Sequence, residues 1–357
     1  MNVSLCMIVK NEEALLELCL KSIASMVDEI VIVDTGSIDR TKEIAFRYTD
    51  KVYDFIWVND FAAARNYSLS KASNEYILVL DSDEIVEEID MDAIKELVHR
   101  HPDKIGRLLR INEFRRKENK YKYSERVNRL FSKYYYKYEG TIHEQIIPIR
   151  ECIPAEITET YLIPMTIRHS GYEGDLQIRK RKTERNISLL KAAQERNTDD
   201  PYILYQLGKS YYMEEDYGKA CEYFGQALYF DLDPRLEYVQ DMVESYGYSL
   251  INSEQYDTAL QLLNVYEEFS RSADFIFLVA LILMNHGSFT EAVQEFEKAA
   301  SFSEAKMEGV NGYLAFYNIG VIYECLGEFG KAKQSYLSCG DYLPAKNRLN
   351  QMLKNQS

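Results

Sequence analysis

What the chain lacks narrows it first. No stretch approaches the roughly 18 consecutive apolar residues that a membrane-crossing helix needs, and the start, MNVSLCMIVKNEE, has neither the basic opening nor the small-residue cleavage site of an export signal. A protein retained in the cytoplasm, without a membrane span, is the expectation. Cysteine is scarce and dispersed: Cys6, Cys19, Cys152, Cys221, Cys325 and Cys339 contain no C-x-x-C pair. That argues against a structural zinc site or a disulfide scaffold and fits a reducing compartment. Positive charge is in deficit, with 42 Lys and Arg against 57 Asp and Glu for a net −15, which disfavours generic binding to the phosphate backbone of nucleic acids. There is no G-x-G-x-x-G after the first apolar run and no G-x-x-x-x-G-K-[ST], and His143-Glu144 has no second histidine at the metalloprotease spacing. A dinucleotide-binding dehydrogenase, a P-loop enzyme and a zincin are therefore disfavoured.

What is present divides in two. At roughly 150 residues per domain, the 357 residues call for two compact domains, and the charge changes sign along the way. Residues 1–99 carry 9 basic against 20 acidic side chains, residues 100–185 carry 20 against 12, and residues 186–357 carry 13 against 25. A basic island between acidic segments can solvate one face, receive a phosphate-bearing ligand or touch a membrane surface.

The first hundred residues alternate short apolar runs with amphipathic stretches. Val3 to Val9 reads as a buried strand, Glu12 to Met26 as a helix with Leu15, Leu16, Cys19, Leu20 and Ile23 on one stripe, and Glu29 to Val33 as a second strand. The turn Thr35-Gly36-Ser37, a helix through Ala45, the strand Lys51 to Phe55, the helix Phe61 to Ala72 and the strand Tyr76 to Leu80 follow. This rhythm predicts βαβ units and a parallel sheet covered on both faces, with ligands at the strand ends. From about residue 105 the chain becomes extended and aromatic, over Arg107 to Phe114, Arg126 to Phe131, Tyr134 to Ile147 and Tyr161 to His169. These stretches are expected to be added strands and loops closing over the sheet.

After Gly174 the pattern is helical and repeats itself. With Pro201 as position one, Leu207-Gly208, Tyr211, Ala220, Phe224 and Ala227 take the offsets of a 34-residue tetratricopeptide unit. Tyr313 starts another, with Ile319-Gly320, Tyr323, Ala332, Tyr336 and Cys339, and weaker copies carry Gly247 and Ala259, then Ala280, Ala292, Phe296 and Ala299. Small residues recur where paired helices cross closely, and large ones fill the gap. The expected division is a first domain over residues 1–185 and about four helical repeats over residues 186–357.

Two strand ends carry chemistry. Asp81-Ser82-Asp83-Glu84 follows the strand ending at Leu80, and carboxylates one residue apart there can hold Mg²⁺ or Mn²⁺ against a diphosphate; acidic clusters also cap helices. Val33-Asp34-Thr35-Gly36-Ser37 ends another strand, where Asp34 can accept hydrogen bonds from a base or sugar while Ser37 or Asp39 caps the next helix.

Together with Ser4 to Glu13, Asp28 to Ser37 and Asp60-Phe61-Ala62-Ala63-Ala64-Arg65-Asn66, the Asp81 to Glu84 segment resembles the family 2 glycosyltransferases of the GT-A fold. The subset it is most similar to is bacterial enzymes that append tetratricopeptide repeats, including the S- and O-glycosyltransferases of glycocin peptides; some related chains build lipopolysaccharide cores. The resemblance implies an α/β GT-A (Rossmann-like) nucleotide-sugar domain followed by an all-α repeat domain. It implies that Asn11, Glu12 and Asp34 contact the nucleotide, Arg65 and Asn66 the diphosphate or sugar, and Asp81, with Ser82, the ribose or metal-bound phosphate. Asp83 and His169, the latter in Arg168-His169-Ser170-Gly171-Tyr172, would be ligands of Mn²⁺ or Mg²⁺. Gly140-Thr141-Ile142-His143-Glu144 stands where inverting members carry a catalytic acid residue, so Glu144 is the candidate base, weighed against a structural ion pair with Arg126 or Arg129. The expected function is metal-dependent inverting transfer from a nucleotide sugar, a UDP-sugar above all, to a Ser, Thr or Cys side chain of a peptide or protein. The repeats would form an acceptor groove or a homodimer surface. The alternatives are a cell-envelope glycan acceptor, or an inactive GT-A scaffold with partner-binding repeats.

Overall fold

The computed structural model describes residues 2–116, 119–149, 159–169 and 176–354. Cys152, Ser170, Gly171, Tyr172 and Gly174 lie outside them. The chain divides into two compact units, Met1–Arg181 and Lys182–Ser357. No helix among the described residues is long and apolar enough to cross a membrane.

The first unit is built on strand β1 (Val3–Val9), whose residues, all but Ile8 buried, line both faces, as a strand in a covered parallel sheet does; its one polar residue, Ser4, bonds Glu29. Side chains alternate by layer. Leu5, Met7 and Val9 pack with Leu16, Leu20 and Ile23 of helix α1 (Leu16–Ile23), while Cys6 points the other way among Val31, Ala62, Leu69, Val79 and Phe131. Then come β2 (Glu29–Asp34), α2 (Thr41–Ala45), β3 (Val52–Asp54), α3 (Phe61–Lys71) and β4 (Tyr76–Val79). The helix expected from Glu12 begins at Leu16, with the Glu12 carbonyl accepting from the Leu16 amide at 2.9 Å. Neither expected cap is simple. Asp39 accepts from the Thr41 amide at 3.0 Å, whereas Ser37 accepts from the Asn11 amide at 2.9 Å and so joins the β1–α1 and β2–α2 loops.

The second half of the unit differs from the expected cover. After β5 (Glu84–Ile89) and α4 (Met91–Arg100), neither anticipated as an element, the strands β6 (Ile105–Arg116), β7 (Asn119–Ser132) and β10 (Thr160–His169) join the same sheet. Its order is β3-β2-β1-β4-β7-β6-β10-β5. Among the described strands, only β8 (Tyr136–Glu139) and β9 (Gln145–Pro148) stand apart, as a hairpin. Thus the stretch expected from Tyr134 to Ile147 is two strands around the 140–144 loop. Because β7 runs antiparallel to both β4 and β6, and β10 parallel to β6, the ends of β2, β4 and β10 and the start of β5 share one edge.

The second unit is a helical stack. Helix α5 (Leu176–Arg196) leads into the pair α6 (Pro201–Met213) and α7 (Tyr217–Ala227). Next, α8 (Glu237–Asn252) is followed by α9 (Tyr256–Ala259), a 3₁₀ segment (Leu260–Val265) and α10 (Tyr266–Phe269) in place of one second helix. The pairs α11 (Ala273–His286) with α12 (Phe289–Ala300) and α13 (Tyr313–Cys325) with α14 (Phe329–Leu337) follow, and α15 (Leu343–Lys354) ends the described chain. The repeat's small-against-large logic is visible at Gly208 and Gly320. A Cβ at either would lie 2.5 Å from the ring of Phe224 or Tyr336, respectively, so the aromatic of each second helix occupies the space a side chain would need.

Around α8, toward α6 on one side and α11 on the other, lies a buried polar cluster. Asp241 accepts from Tyr205 at 2.7 Å and pairs with Lys209 at 2.8 Å, and Asp274 accepts from the amides of Lys306 and Met307, both at 2.8 Å. Burial pushes the Glu244 carboxyl up to about 7 against a partial pull from Lys306, with Asp274 and Asp241 adding to the rise. The folded chain therefore keeps a proton that the unfolded chain releases near 4.5. Stability from this group is fullest below that value and is lost as pH rises to about 7. Glu244→Gln should shrink the drop in melting temperature of the full chain between pH 5 and pH 8, measured by calorimetry. A drop equal to that of the wild type would contradict the assignment.

Candidate active site

The shared edge gathers carboxylates and arginines that sequence separates widely. The Asp81 to Glu84 turn closes on itself, with the Glu84 amide donating to the Asp81 carbonyl at 3.1 Å and the Asp81 amide to Glu84 Oε2 at 2.9 Å. Glu84, fully buried, cannot remain charged there without a partner. Arg129 of β7 supplies one: its Nη2 donates to Glu84 Oε1 and, at 2.9 Å, to Asp81 Oδ2. Arg65 of α3 takes the other Asp81 oxygen, Oδ1, at 2.9 Å through Nη2, and its Nε bonds Glu144 Oε1. Burial alone would raise the Asp81 carboxyl, but the two guanidinium groups override it and hold the group well below the usual carboxylate range. Asp81 is thus an anion fixed between two arginines.

The 140–144 loop is held against α3 by several bonds. Asn66, next to Arg65, spends its carboxamide on one strand residue: Nδ2 donates to the Tyr138 carbonyl at 2.8 Å and Oδ1 accepts from the Tyr138 amide at 2.9 Å. The Tyr138 ring packs on Phe131 and lies under the Arg65 guanidinium at 5.5 Å, a cation–π contact. The Phe61 amide donates to the Thr141 carbonyl at 2.9 Å. The loop turns at Gly140 (φ 104°) and His143 (φ 51°), both in the left-handed region. Glu144 is largely buried, and its ion pair is with Arg65, not with Arg126 or Arg129. Oε2 makes no hydrogen bond among the described residues.

At the other flank His169, ending β10, stands in register with Glu84 on one side and Asn112 on the other. Its Nε2 is 3.3 Å from Asp83 Oδ2, and its Nδ1 is 2.8 Å from Asn112 Oδ1. Two cis ligands of one ion with bonds of about 2.1 Å stand about 3 Å apart, so this oxygen and nitrogen fit a shared divalent cation. Among the described residues no group of three or more His, Cys, Asp or Glu is placed to hold a metal; the remaining positions would belong to water and phosphate, as Mg²⁺ prefers.

The nucleotide candidates sit at the tips of β1 and β2. Asp34 is buried; Oδ1 accepts from the Gly36 and Ser37 amides at 3.0 and 2.9 Å, while Oδ2 is buried without a hydrogen-bond partner among the described residues. Gly36, at φ 102°, makes that turn. Asn11 is exposed at φ 56°, its Oδ1 accepting from the Ile38 amide at 2.9 Å, and the Glu12 amide donates to Thr41 at 2.7 Å. Ser82 is buried between the two aspartates. The structure therefore brings Arg65, Asp81 and Glu144 together and pairs Asp83 with His169. Asn66 faces a backbone rather than the crevice, and Asn11 serves loop closure.

Sequence reasoning named Arg129 only as a partner for Glu144 and passed over Arg110, Glu125 and Asn112. A signal existed: Glu125 and Arg129 on β7, and Arg110 and Asn112 on β6, sit at even spacings and so share a strand face, unusual for polar residues in a central sheet.

Residues 4–151 match the family model "Glycosyl transferase family 2", and residues 201–234 and 313–339 match a tetratricopeptide repeat. The glycosyltransferase family 2 match thus lies within the first unit and the tetratricopeptide matches within the second. Among particular relatives, it is 31% identical over 233 residues to a TPR repeat-containing protein of Synechococcus elongatus, covering 63% of this chain and 56% of that one. It is 24% identical over 291 residues to the SPbeta prophage-derived glycosyltransferase SunS of Bacillus subtilis, covering 78% and 65%. The chain therefore spans less than two thirds of the length of either relative. The crystal structure of YrrB, a TPR protein, covers 50% of this chain and is itself 87% covered, at 24% identity and a TM-score of 0.41.

Removing one member of a buried charge set strands the others. Arg129→Met should destabilise the chain by roughly 3–5 kcal/mol, read from the urea transition followed by fluorescence and circular dichroism. A change below about 1 kcal/mol would show that Arg110 and Arg65 suffice for Glu84 and Asp81.

Proposed function

We propose that this chain is a divalent-cation-dependent, inverting glycosyltransferase that moves a sugar from a nucleotide sugar, with a UDP-sugar as the expected donor, to a hydroxyl or thiol side chain of a peptide or protein. The observation that carries the reading is the facing pair Asp83 and His169 beside the arginine-clamped Asp81, on the sheet edge where a nucleotide-binding fold takes its ligand. The family of the first unit supports it.

Asp83 Oδ2 and His169 Nε2 would hold Mn²⁺ or Mg²⁺. When bound, the ion neutralises charge on the leaving diphosphate. Asp34 Oδ2, buried and unspent, accepts a hydrogen bond from the nucleotide base or sugar, and the nearby Asn11 and Glu12 loop borders it. Glu144 acts on the acceptor. As the acceptor oxygen or sulfur forms its bond to the anomeric carbon, the carbon–oxygen bond to the diphosphate breaks, and its electron pair leaves on the diphosphate oxygen. The acceptor proton passes to Glu144, through the oxygen that Arg65 does not hold. Arg65 and Asn66 keep the loop and the carboxylate aimed, and Asp81 fixes Arg65. The repeat unit, a stack of helix pairs carrying excess negative charge over residues 186–357, offers an extended surface for a flexible acceptor. Cytoplasmic residence accords with the five described cysteines, all free thiols.

The test is release of nucleoside diphosphate from a panel of nucleotide sugars, with Mn²⁺ or with chelator. One donor should be consumed in Mn²⁺ and spared in chelator, and Asp83→Ala should abolish that consumption without unfolding the chain. Turnover of Asp83→Ala in chelator as fast as that of the wild type in Mn²⁺ would defeat the metal-dependent reading. On a hydroxyl acceptor, Glu144→Gln should keep donor affinity yet lower turnover by about 10²–10⁴. Full activity would remove Glu144 as the base.

A further inference from the structure

Asn112 is buried in the middle of β6, in register with His169 on β10 and with Tyr123 on β7. Its carboxamide is committed at both ends. Nδ2 faces Glu125 Oε1 at 2.7 Å and the Tyr123 carbonyl at 3.4 Å, and Oδ1 faces His169 Nδ1 at 2.8 Å. Exchanging oxygen and nitrogen would set Oδ1 against a carboxylate and a carbonyl, two acceptors, so chemistry dictates the orientation. With an oxygen toward the imidazole, the ring proton belongs on Nδ1. The nitrogen turned to Asp83, at 3.3 Å, is then Nε2. Glu125 is anchored in turn: Arg110 donates to it from Nε at 3.2 Å and Nη2 at 2.9 Å, and reaches Glu84 from Nη1 at 3.3 Å.

We propose that Asn112, braced by Glu125 and Arg110, is a positioning residue for the cation-binding pair: it fixes the neutral His169 ring as the Nδ1–H tautomer and so presents Nε2 toward Asp83. This rests on the reading of Asp83 and His169 as cation ligands, but the tautomer is a property of the metal-free chain. Partners of this kind are worth about 10–100-fold in metal affinity. The same bracing explains polar residues deep in the sheet. Glu125, Arg110 and Asn112 satisfy one another and end on the imidazole.

The experiment uses the full chain and two readouts. The first is a ¹⁵N–¹H correlation spectrum of the histidine rings without metal, at alkaline pH where imidazole is neutral. The His169 signals are assigned by their loss in His169→Gln. The second is Mn²⁺ affinity from the electron paramagnetic resonance signal of free Mn²⁺. Wild type should show the Nδ1–H pattern. Asn112→Leu, similar in shape but without an acceptor, should lose that pattern and bind Mn²⁺ about 10–100-fold more weakly. Asn112→Asp combined with Glu125→Gln retains an acceptor at Nδ1 and replaces the carboxylate that faced Nδ2 with an amide able to donate to the new carboxylate, so it should keep the tautomer and most of the affinity; a residue that merely filled space would not distinguish this double variant from Asn112→Leu by tautomer. An Nε2–H ring in the wild type, or equal Mn²⁺ affinity in wild type and Asn112→Leu, overturns the proposal. Wild type that shows the Nδ1–H pattern yet takes no Mn²⁺ overturns the cation reading beneath it and the positioning role with it.

Discussion

The structure of the first unit turns on one arrangement: the Asp81 carboxylate gripped on one oxygen by Arg65 and on the other by Arg129. Charges taken out of water cost several kcal/mol each unless paired with good geometry, so two buried guanidinium groups and the fully buried Glu84 cannot be independent features. Arg129 serves Asp81 and Glu84 at once, and Arg65 serves Asp81 and Glu144. The consequence is rigidity where chemistry would need it. Two segments far apart in sequence, the turn after β4 and the loop before β9, are fixed to one another through a single helix residue.

From Glu84 the same set continues through Arg110, Glu125 and Asn112 to His169 and Asp83. A candidate base lies at one end and a candidate cation pair at the other, joined by alternating charges and a carboxamide. Such a chain is high-stakes: fully satisfied it specifies one geometry, and partly satisfied it would be worse than an apolar core. The sheet order makes it possible. Placing β7 and β6 between β4 and β10 inserts two polar-faced strands at the site.

Much of this was legible in the sequence. The run Val3 to Val9, apolar but for Ser4, and the spacing of Leu16, Cys19, Leu20 and Ile23 report burial directly, because a covered strand and a one-sided helix leave different periods. Gly208 and Gly320 announced close helix crossings, which their contacts with Phe224 and Tyr336 make concrete. The sheet's far half was not legible. Arg107 to Phe114 and Arg126 to Phe131 mix charge with apolar residues, and charge in a strand reads as solvent exposure until its partner is known. That partner is a matter of long-range register, such as Arg110 opposite Glu125. For the same reason Arg65 read as a group facing the crevice, when its burial and its two carboxylate partners make it an anchor. Asp83 and His169 were named from motif and strand end, but Asn112, which orders them, had no local signal beyond its even spacing from Arg110.

The most direct test of the account is an anomalous difference map, collected at the manganese edge, from crystals of the full chain grown with Mn²⁺ and UDP. The account predicts one strong peak bonded to the Asp83 carboxylate and His169 Nε2, with Asp81 still bridged by Arg65 and Arg129. A peak bonded to Asp81 with those ion pairs broken, or no peak beside Asp83 in crystals that hold UDP, would contradict it.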